Sequence, residues 1–177
     1  MKKMKLNQQA RIAMMTAVLC VTSQWVIPTG GIPFTLQTFF VPLSGALLGP
    51  LGGAIAVLVY LLIGAVGVPV FSNAQAGFGV MLGATGGFLW SFPIMALLCS
   101  LRSGAKIWQQ LLCALAGILV IYAAGTVQYM VLSGRTLLEA LMATVVPFIL
   151  KDVVCVTLGV TLGRTIKRRL GSHVGIA

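Results

Sequence analysis

The sequence predicts an all-α integral membrane protein with six transmembrane helices, both termini in the cytoplasm and a ligand pocket open to the outside. Hydrophobic residues make up 59% of the 177 residues and charged residues only 8%, against about 25% charged in a typical soluble domain. Mean hydropathy is +1.05. Residues 12–101 contain no Asp, Glu, Lys, Arg or His. A membrane helix needs about 20 apolar residues, so this stretch alone has room for several helices.

Proline- and glycine-rich breaks divide the apolar sequence into spans. The main breaks are PTGGIP, the Gly49-Pro50 pair and GVPVFSNAQAGFGV. We predict helices at residues 9–27, 34–48, 51–68, 80–101, 108–132 and 143–163. They form one membrane domain over residues 1–177, with basic cytoplasmic tails at 1–11 and 164–177.

Basic residues set the orientation of the predicted helices. The net charge is +10, with 12 Lys and Arg against 2 acidic residues. Ten of the twelve fall in segments that lie on one side if the N-terminus is inside: Lys2, Lys3, Lys5, Arg11, Arg102, Lys106, Arg164, Lys167, Arg168 and Arg169. Cytoplasmic flanks of membrane helices carry such an excess. We therefore expect a multi-pass protein of a bacterial cell membrane, and no nucleic-acid binding, since no base-reading side chains accompany the charges.

Residues for catalysis or metal binding are scarce. The only carboxylate side chains are Glu139 and Asp152, the only histidine is His173, and GxSxG, HExxH and Walker A sequences are absent. The four cysteines lie singly in apolar segments without metal-ligand or disulfide-framework spacing. The sequence predicts neither an enzyme nor a metal or cofactor site, and any ATP-driven work must come from another chain.

The stretch VVPFILKDVVCVTLG places Lys151 and Asp152 side by side in the outer part of the sixth predicted helix. A charged residue at membrane depth is costly, so it is a functional-site candidate. Neighbouring helical residues point about 100° apart, which predicts that these two do not simply face each other. Two structural alternatives stay open: the side chains snorkel to the outer interface, or Asp152 pairs with Arg135.

The polar outer loops and nearby aromatic residues complete a candidate pocket. Small-molecule sites combine an apolar lining with a few polar groups, and the residues predicted here have that composition. They are Asp152, Lys151, Gln37, Asn73, Phe34, Phe71, Phe78 and Phe88.

Small residues at four-residue spacing predict close helix contacts. Four such glycine pairs are Gly45/Gly49, Gly49/Gly53, Gly83/Gly87 and Gly159/Gly163. Ala13 and Ala17 form a similar pair on the first helix. We expect the helix face that carries them to pack against another helix of this protein or of a partner.

Three stretches carry a resemblance to a known family. GGIPFTLQTFFVPLSGALLGPLGG, LLIGAVGVPVFSNAQAGFGVMLGATGGFLWSF and VVPFILKDVV resemble the BioY family, the biotin-specific S components of energy-coupling factor (ECF) transporters. The resemblance covers nearly the whole chain in order. It implies six helices that capture biotin from outside with high affinity. It also implies a transmembrane T component, which meets the Ala13/Ala17 face, and two ATPase subunits.

The resemblance carries Asp152 over as a site residue, and the chemistry of biotin indicates how the predicted pocket residues would bind it. Asp152 accepts the ureido N–H groups of biotin, Asn73 or Gln37 donates to the ureido oxygen, and aromatic rings cover the thioether ring. The sequence departs from the family where Lys151 precedes Asp152 and Cys155 takes a position that is often Lys. Lys151 therefore either helps hold the ligand or limits the cost of burying Asp152. From the residues alone, a carrier for another small vitamin and a structural subunit without a ligand stay open.

Overall fold

A computed structural model describes residues 6–27 and 34–174, with side chains described for residues 6–26 and 34–170. It is all-helical apart from one short hairpin. The elements are α1 (Leu6–Thr22), β1 (Val26–Ile27), β2 (Phe34–Thr35), α2 (Gln37–Ala65), a 3₁₀ turn (Ser72–Ala74), α3 (Phe78–Leu82), α4 (Gly86–Ser100), α5 (Ile107–Ser133), α6 (Leu137–Thr144) and α7 (Ile149–Val174). The predicted loop PTGGIP and the basic residues Lys2, Lys3 and Lys5 lie outside the described residues.

The first helix ends earlier than predicted at its C-terminus. It stops at Thr22, and Val26 and Ile27 form β1, which pairs antiparallel with β2 in the register Val26–Thr35 and Ile27–Phe34. The prediction of helix to residue 27 was wrong because β-branched residues favour extended backbone where a partner strand is present. The hairpin brings the start of α2 back to the end of α1.

The second helix folds back on itself at Gly49. That residue has φ +82° and ψ −179°, a backbone conformation that favours glycine. A Cβ added to Gly53 would lie 2.5 Å from the Cα of Gly45. Those positions would be about 12 Å apart along a straight helix. The break predicted at Gly49-Pro50 is therefore confirmed, and residues 37–48 and 50–65 form two helices that pack against each other.

Two of the three later predicted helices are interrupted near their starts, whereas the helix predicted at 108–132 is the continuous α5. The helix predicted from residue 80 is α3 followed by α4, because the chain leaves helical geometry between Leu82 and Gly86. Before the last helix lies α6, which sequence analysis missed. It begins at a capping box in which Thr136 and Glu139 bond each other's backbone N–H groups, and it meets α7 at a 50° bend. The last helix continues to Val174, so the C-terminal segment predicted as a tail is helical to that point.

The helices pack at close distance through small residues. α2 packs against α1, α4 and α7, and α4 packs against α5. A Cβ on Gly159 of α7 would lie 2.4 Å from the carbonyl oxygen of Phe39, and one on Gly87 of α4 would lie 2.3 Å from that of Ala124. These distances confirm the close packing predicted at Gly87 and Gly159, since no side chain larger than hydrogen fits between the helices there. Gly83 of the predicted 83/87 pair has only residues of α3 nearby.

The outer surface is apolar, as a lipid-facing surface is. By length and composition, two helical segments of the described chain are able to cross a membrane, or three if the bent pair α6–α7 counts as one span. They are α5 and α2, where α2 is counted as one segment of 29 residues despite its fold-back at Gly49. Exposed leucines and valines lie along α5 and α7, while the core of buried residues runs between α2, α4, α5 and α7.

Candidate functional site

A cavity of about 310 Å³ opens where β2, the 3₁₀ turn and the six helices α2 to α7 meet. It lies at the lower end of the range of about 300–1,000 Å³ found for small-molecule sites. Its walls combine aromatic rings with hydroxyl, amide and charged groups: Thr35, Gln37, Thr38, Phe71, Ser72, Asn73, Gln75, Val80, Thr85, Phe88, Leu89, Phe92, Ile121, Tyr122, Thr144, Phe148, Lys151 and Asp152. Six of the eight predicted pocket residues lie among them.

Asp152 is the most buried charged group of the cavity. It lies in the first turn of α7 and is only 4% exposed. The Tyr122 hydroxyl of α5 donates to its Oδ2 at 2.8 Å. Its Oδ1 is 2.6 Å from the Nζ of Lys151, yet this contact is not aligned as a hydrogen bond, and within the described residues Oδ1 accepts none. Buried charges are normally paired and hydrogen-bonded, so Oδ1 has unused acceptor capacity.

Lys151 curves back onto its neighbour instead of pointing away from it. Its Nζ also donates to the carbonyl oxygen of Thr35 at 3.2 Å and to Thr38 Oγ1 at 3.1 Å. The rings of Phe34 and Phe148 lie 5.6 and 5.7 Å from Nζ, within cation–π range. The expectation that the two charges do not face each other was wrong, because the long lysine stem spans the angle between adjacent helical positions.

The alternative pairing of Asp152 with Arg135 does not occur. In the described chain the ion pair of Asp152 is with Lys151, and Arg135 lies near Glu139 at the start of α6. Lys151 keeps about a quarter of its side chain exposed. The pair is thus buried on the carboxylate side and accessible from the lysine side.

The two predicted amides occupy different parts of the site. Gln37 is buried, donates to the Tyr60 hydroxyl at 2.6 Å and accepts from Thr35 Oγ1 at 3.3 Å. Asn73 is exposed and lies in the 3₁₀ turn with φ +58°, a conformation that Asn tolerates better than most residues. Gln37 therefore belongs to the floor of the cavity, and Asn73 to its rim.

The aromatic residues divide into lining, supporting and distant groups. Phe71 and Phe88 line the cavity. Phe34 is packed edge-on against Phe148 at a centroid distance of 4.7 Å, so it supports the Lys151 end without lining the cavity. Phe78 is half-exposed and packs against Trp90, outside the lining.

Several site residues escaped sequence analysis. Tyr122 is 30 positions from Asp152, and no local pattern links the two. Thr38, Phe92 and Phe148 lie on the cavity wall but read as ordinary helix residues. A tyrosine within an apolar helix is the one usable signal, since a buried tyrosine hydroxyl needs a partner.

Ala13 and Ala17 are both exposed on α1. The opposite face of α1 is buried, through Ile12, Met15, Thr16 and Leu19. Among the described residues no group of three or more His, Cys, Asp or Glu side chains is placed to hold a metal ion.

The all-helical fold, apolar surface and polar cavity define a membrane protein with a cavity of small-molecule size. The chain belongs to the BioY family, whose sequence profile matches residues 1–172.

Individual relatives agree with this assignment. A probable biotin transporter BioY of Pyrococcus horikoshii is 36% identical over 151 residues, covering 85% of this chain and 90% of that protein. The biotin transporter BioY of Thermotoga maritima is 41% identical over 123 residues, 68% of this chain and 72% of that one. The crystal structure of the S-component for biotin from an ECF-type ABC transporter superposes with a TM-score of 0.83 at 25% identity, covering 94% of this chain and 95% of that chain.

Proposed function

We propose that this chain captures biotin from outside the cell and is the substrate-specific subunit of an ATP-driven ECF transporter. Membership of the BioY family supports this, as do relatives named as biotin transporters. The observation that carries the proposal to particular residues is the buried carboxylate of Asp152 on the cavity wall, whose Oδ1 contacts the Lys151 ammonium but accepts no aligned hydrogen bond from the described residues. The ureido ring of biotin offers the N–H donors that such an oxygen needs.

The binding mode follows from the groups around the cavity. Charge-assisted N–H···O bonds to the Asp152 carboxylate anchor the ureido ring. One amide proton of Gln37 is committed to Tyr60, so Asn73 is the freer donor for the ureido oxygen. Phe71 and Phe88 cover the thioether ring, because sulfur–aromatic contacts are favourable.

Lys151 has a structural role in this proposal. Its contacts with Asp152, Thr35 and Thr38 offset the cost of burying the carboxylate, which is large for an unpaired charge. They also fix β2 and the start of α2 against α7.

The proposed topology has six crossings within one domain over residues 1–177, in a bacterial cell membrane. The crossings are α1, the two parts of α2, α4, α5 and α7. Asp152 and Arg164 are twelve residues apart on α7, about 18 Å along the helix. With the basic end inside, as the distribution of Lys and Arg favours, the cavity opens to the outside.

The proposed partners supply the energy. A transmembrane T component packs against the exposed Ala13/Ala17 face of α1, and two ATPase subunits hydrolyse ATP. Small residues at this spacing permit close helix approach.

The test is the thermal unfolding midpoint of the purified protein in detergent, with and without biotin, with thiamine and riboflavin as controls. Ligand at 100 times its dissociation constant stabilises by about 2.7 kcal/mol. Asp152→Asn is expected to weaken biotin binding at least tenfold, about 1.4 kcal/mol. Glu139→Gln, which changes the only other carboxylate side chain, is the matched control.

The outcomes separate the alternatives. A shift with biotin alone supports the proposal. A shift with thiamine or riboflavin alone assigns the cavity to another vitamin, and no shift with any of the three argues against a vitamin-binding site. If Asp152→Asn binds biotin with the same affinity as the wild type, Asp152 does not contact the ligand.

A further inference from the structure

A second concave site lies at the opposite end of α7 from the biotin cavity. This groove of about 830 Å³ runs between the start of α5 and the C-terminal half of α7. Three of the residues lining it are cationic, Lys106, Arg164 and Arg168, and Trp108 forms part of its wall. We call it the basic groove.

The positive charge of the basic groove has no counterpart within the described chain. The two carboxylate side chains are both engaged elsewhere, Asp152 with Lys151 and Glu139 with Thr136. Among the residues whose side chains are described, no carboxylate lines the groove. Three cations around one concavity repel each other, so an anion bound there lowers the electrostatic energy of the folded protein.

The wall of the basic groove is fixed by buried contacts. Arg164 donates to Gln110 Oε1 at 3.2 Å and to the carbonyl oxygen of Ala105. Gln110 is fully buried and donates to the carbonyl oxygen of Cys99 at 2.8 Å. This network joins α4, α5 and α7 and holds the loop before α5 in place. Lys106 and Arg168 remain exposed at the sides of the groove, where they are able to contact an anion.

Apolar stripes lead from the groove along both helices. On α5, exposed Leu112, Leu115 and Leu119 follow Trp108 at spacings of three or four residues, which places them on one helix face. On α7, exposed Val154 and Leu158 precede the groove residue Thr161 at the same spacing. Trp108 is 54% exposed, as expected for an aromatic residue at a membrane interface.

We propose that the basic groove binds the phosphate headgroup of an anionic phospholipid, with the acyl chains lying along the exposed stripes of α5 and α7. Lys106 and Arg168 contact the phosphate, and Arg164 holds the groove in shape and adds charge. The exposed apolar stripes of α5 and α7 favour a lipid over a free anion, because a soluble phosphate has no acyl chains to pack against them. The site is separate from the biotin cavity and does not depend on its ligand.

Native mass spectrometry of the detergent-purified protein tests this proposal, with phosphatidylglycerol, phosphatidylcholine and inorganic phosphate as probes. The wild type is expected to retain one phosphatidylglycerol molecule. The double variant Lys106→Gln/Arg168→Gln is expected to bind it at least tenfold more weakly. The matched control, Arg102→Gln/Lys167→Gln, removes two exposed charges outside the groove and is expected to retain the lipid.

Three results would overturn the assignment. Equal loss in both double variants would mean diffuse attraction of lipid to a positive surface. Equal retention of phosphatidylcholine would remove the role of the negative charge. Retention of inorganic phosphate equal to that of phosphatidylglycerol would assign the groove to a soluble anion. Biotin-induced stabilisation of both variants, measured in parallel, shows whether they are folded.

Discussion

Removing the hydroxyl of Tyr122 tests whether the carboxylate of Asp152 is held by a hydrogen bond inside the protein. The bond is 2.8 Å long, both residues are less than a tenth exposed, and Oδ1 accepts no hydrogen bond in the described residues. Tyr122→Phe therefore leaves the carboxylate with only its ion-pair contact to Lys151. Hydrogen bonds to charged groups contribute about 1.5–3 kcal/mol, and we expect a loss of stability of that size.

The assay is thermal unfolding in detergent without ligand. A loss of 1 kcal/mol lowers the midpoint by about 2–4 °C for a chain of 150–250 residues, so the expected fall is about 3–12 °C. Tyr129→Phe is the matched control: Tyr129 lies on the same helix, and no hydrogen bond of its hydroxyl is found in the described chain. We expect that variant to unfold close to the wild-type temperature.

A double-mutant cycle with Asp152→Asn assigns the effect to the pair. Residues in contact show coupling of about 0.5–3 kcal/mol, whereas independent residues add within a few tenths. The reasoning fails if Tyr122→Phe unfolds at the same temperature as Tyr129→Phe, or if the two changes in the cycle are additive.

Three further variants probe packing, charge and assembly. Gly159→Ala is expected to cost about 1–3 kcal/mol of stability by overpacking, since its Cβ would lie 2.4 Å from the carbonyl oxygen of Phe39 in α2. The control Gly79→Ala has open space around the new Cβ and is expected to leave the unfolding midpoint unchanged in the same thermal assay. Lys151→Met is expected to lower the midpoint more than Tyr122→Phe does, because breaking a buried pair costs about 3–5 kcal/mol; an unchanged midpoint would contradict the role given to the lysine. Ala13→Leu with Ala17→Leu is expected to leave biotin binding intact and to abolish co-purification with the proposed T component, and normal co-purification would exclude that face as the interface.

Local sequence chemistry predicted much of the helical framework. Gly49-Pro50 marked the fold-back of α2 because a proline beside a glycine disfavours a continuous helix. Gly45, Gly87 and Gly159 lie at close helix contacts as predicted, whereas Gly49, a member of two predicted pairs, has open space around it. The hairpin of β1 and β2 was missed, since two-residue strands depend on pairing rather than on periodicity. α6 was missed because its capping residues, Thr136 and Glu139, precede an apolar segment that reads as the start of the next helix.

The site was predicted only as far as residue type allows. Asp152, Lys151, Gln37 and Asn73 stood out because polar groups are rare in this chain, and all four line the cavity. Their partners were beyond reach, since contacts such as that of Tyr122 with Asp152 depend on how separate helices pack. Phe78 was included for its sequence neighbourhood, but packing directs it toward Trp90. Six membrane crossings and the inward orientation of the basic end stay predictions.

The closeness of Lys151 and Asp152 has a consequence for the energetics of transport. They are adjacent in sequence with charged atoms 2.6 Å apart, so they move with α7 as a unit of zero net charge. An elementary charge moved across the membrane potential gains or loses about 2.3 kcal/mol per 100 mV, whereas a neutral pair gains or loses none. Tilting of α7 in the bilayer therefore involves little electrical work on these two residues, because only the short dipole of the pair turns in the field.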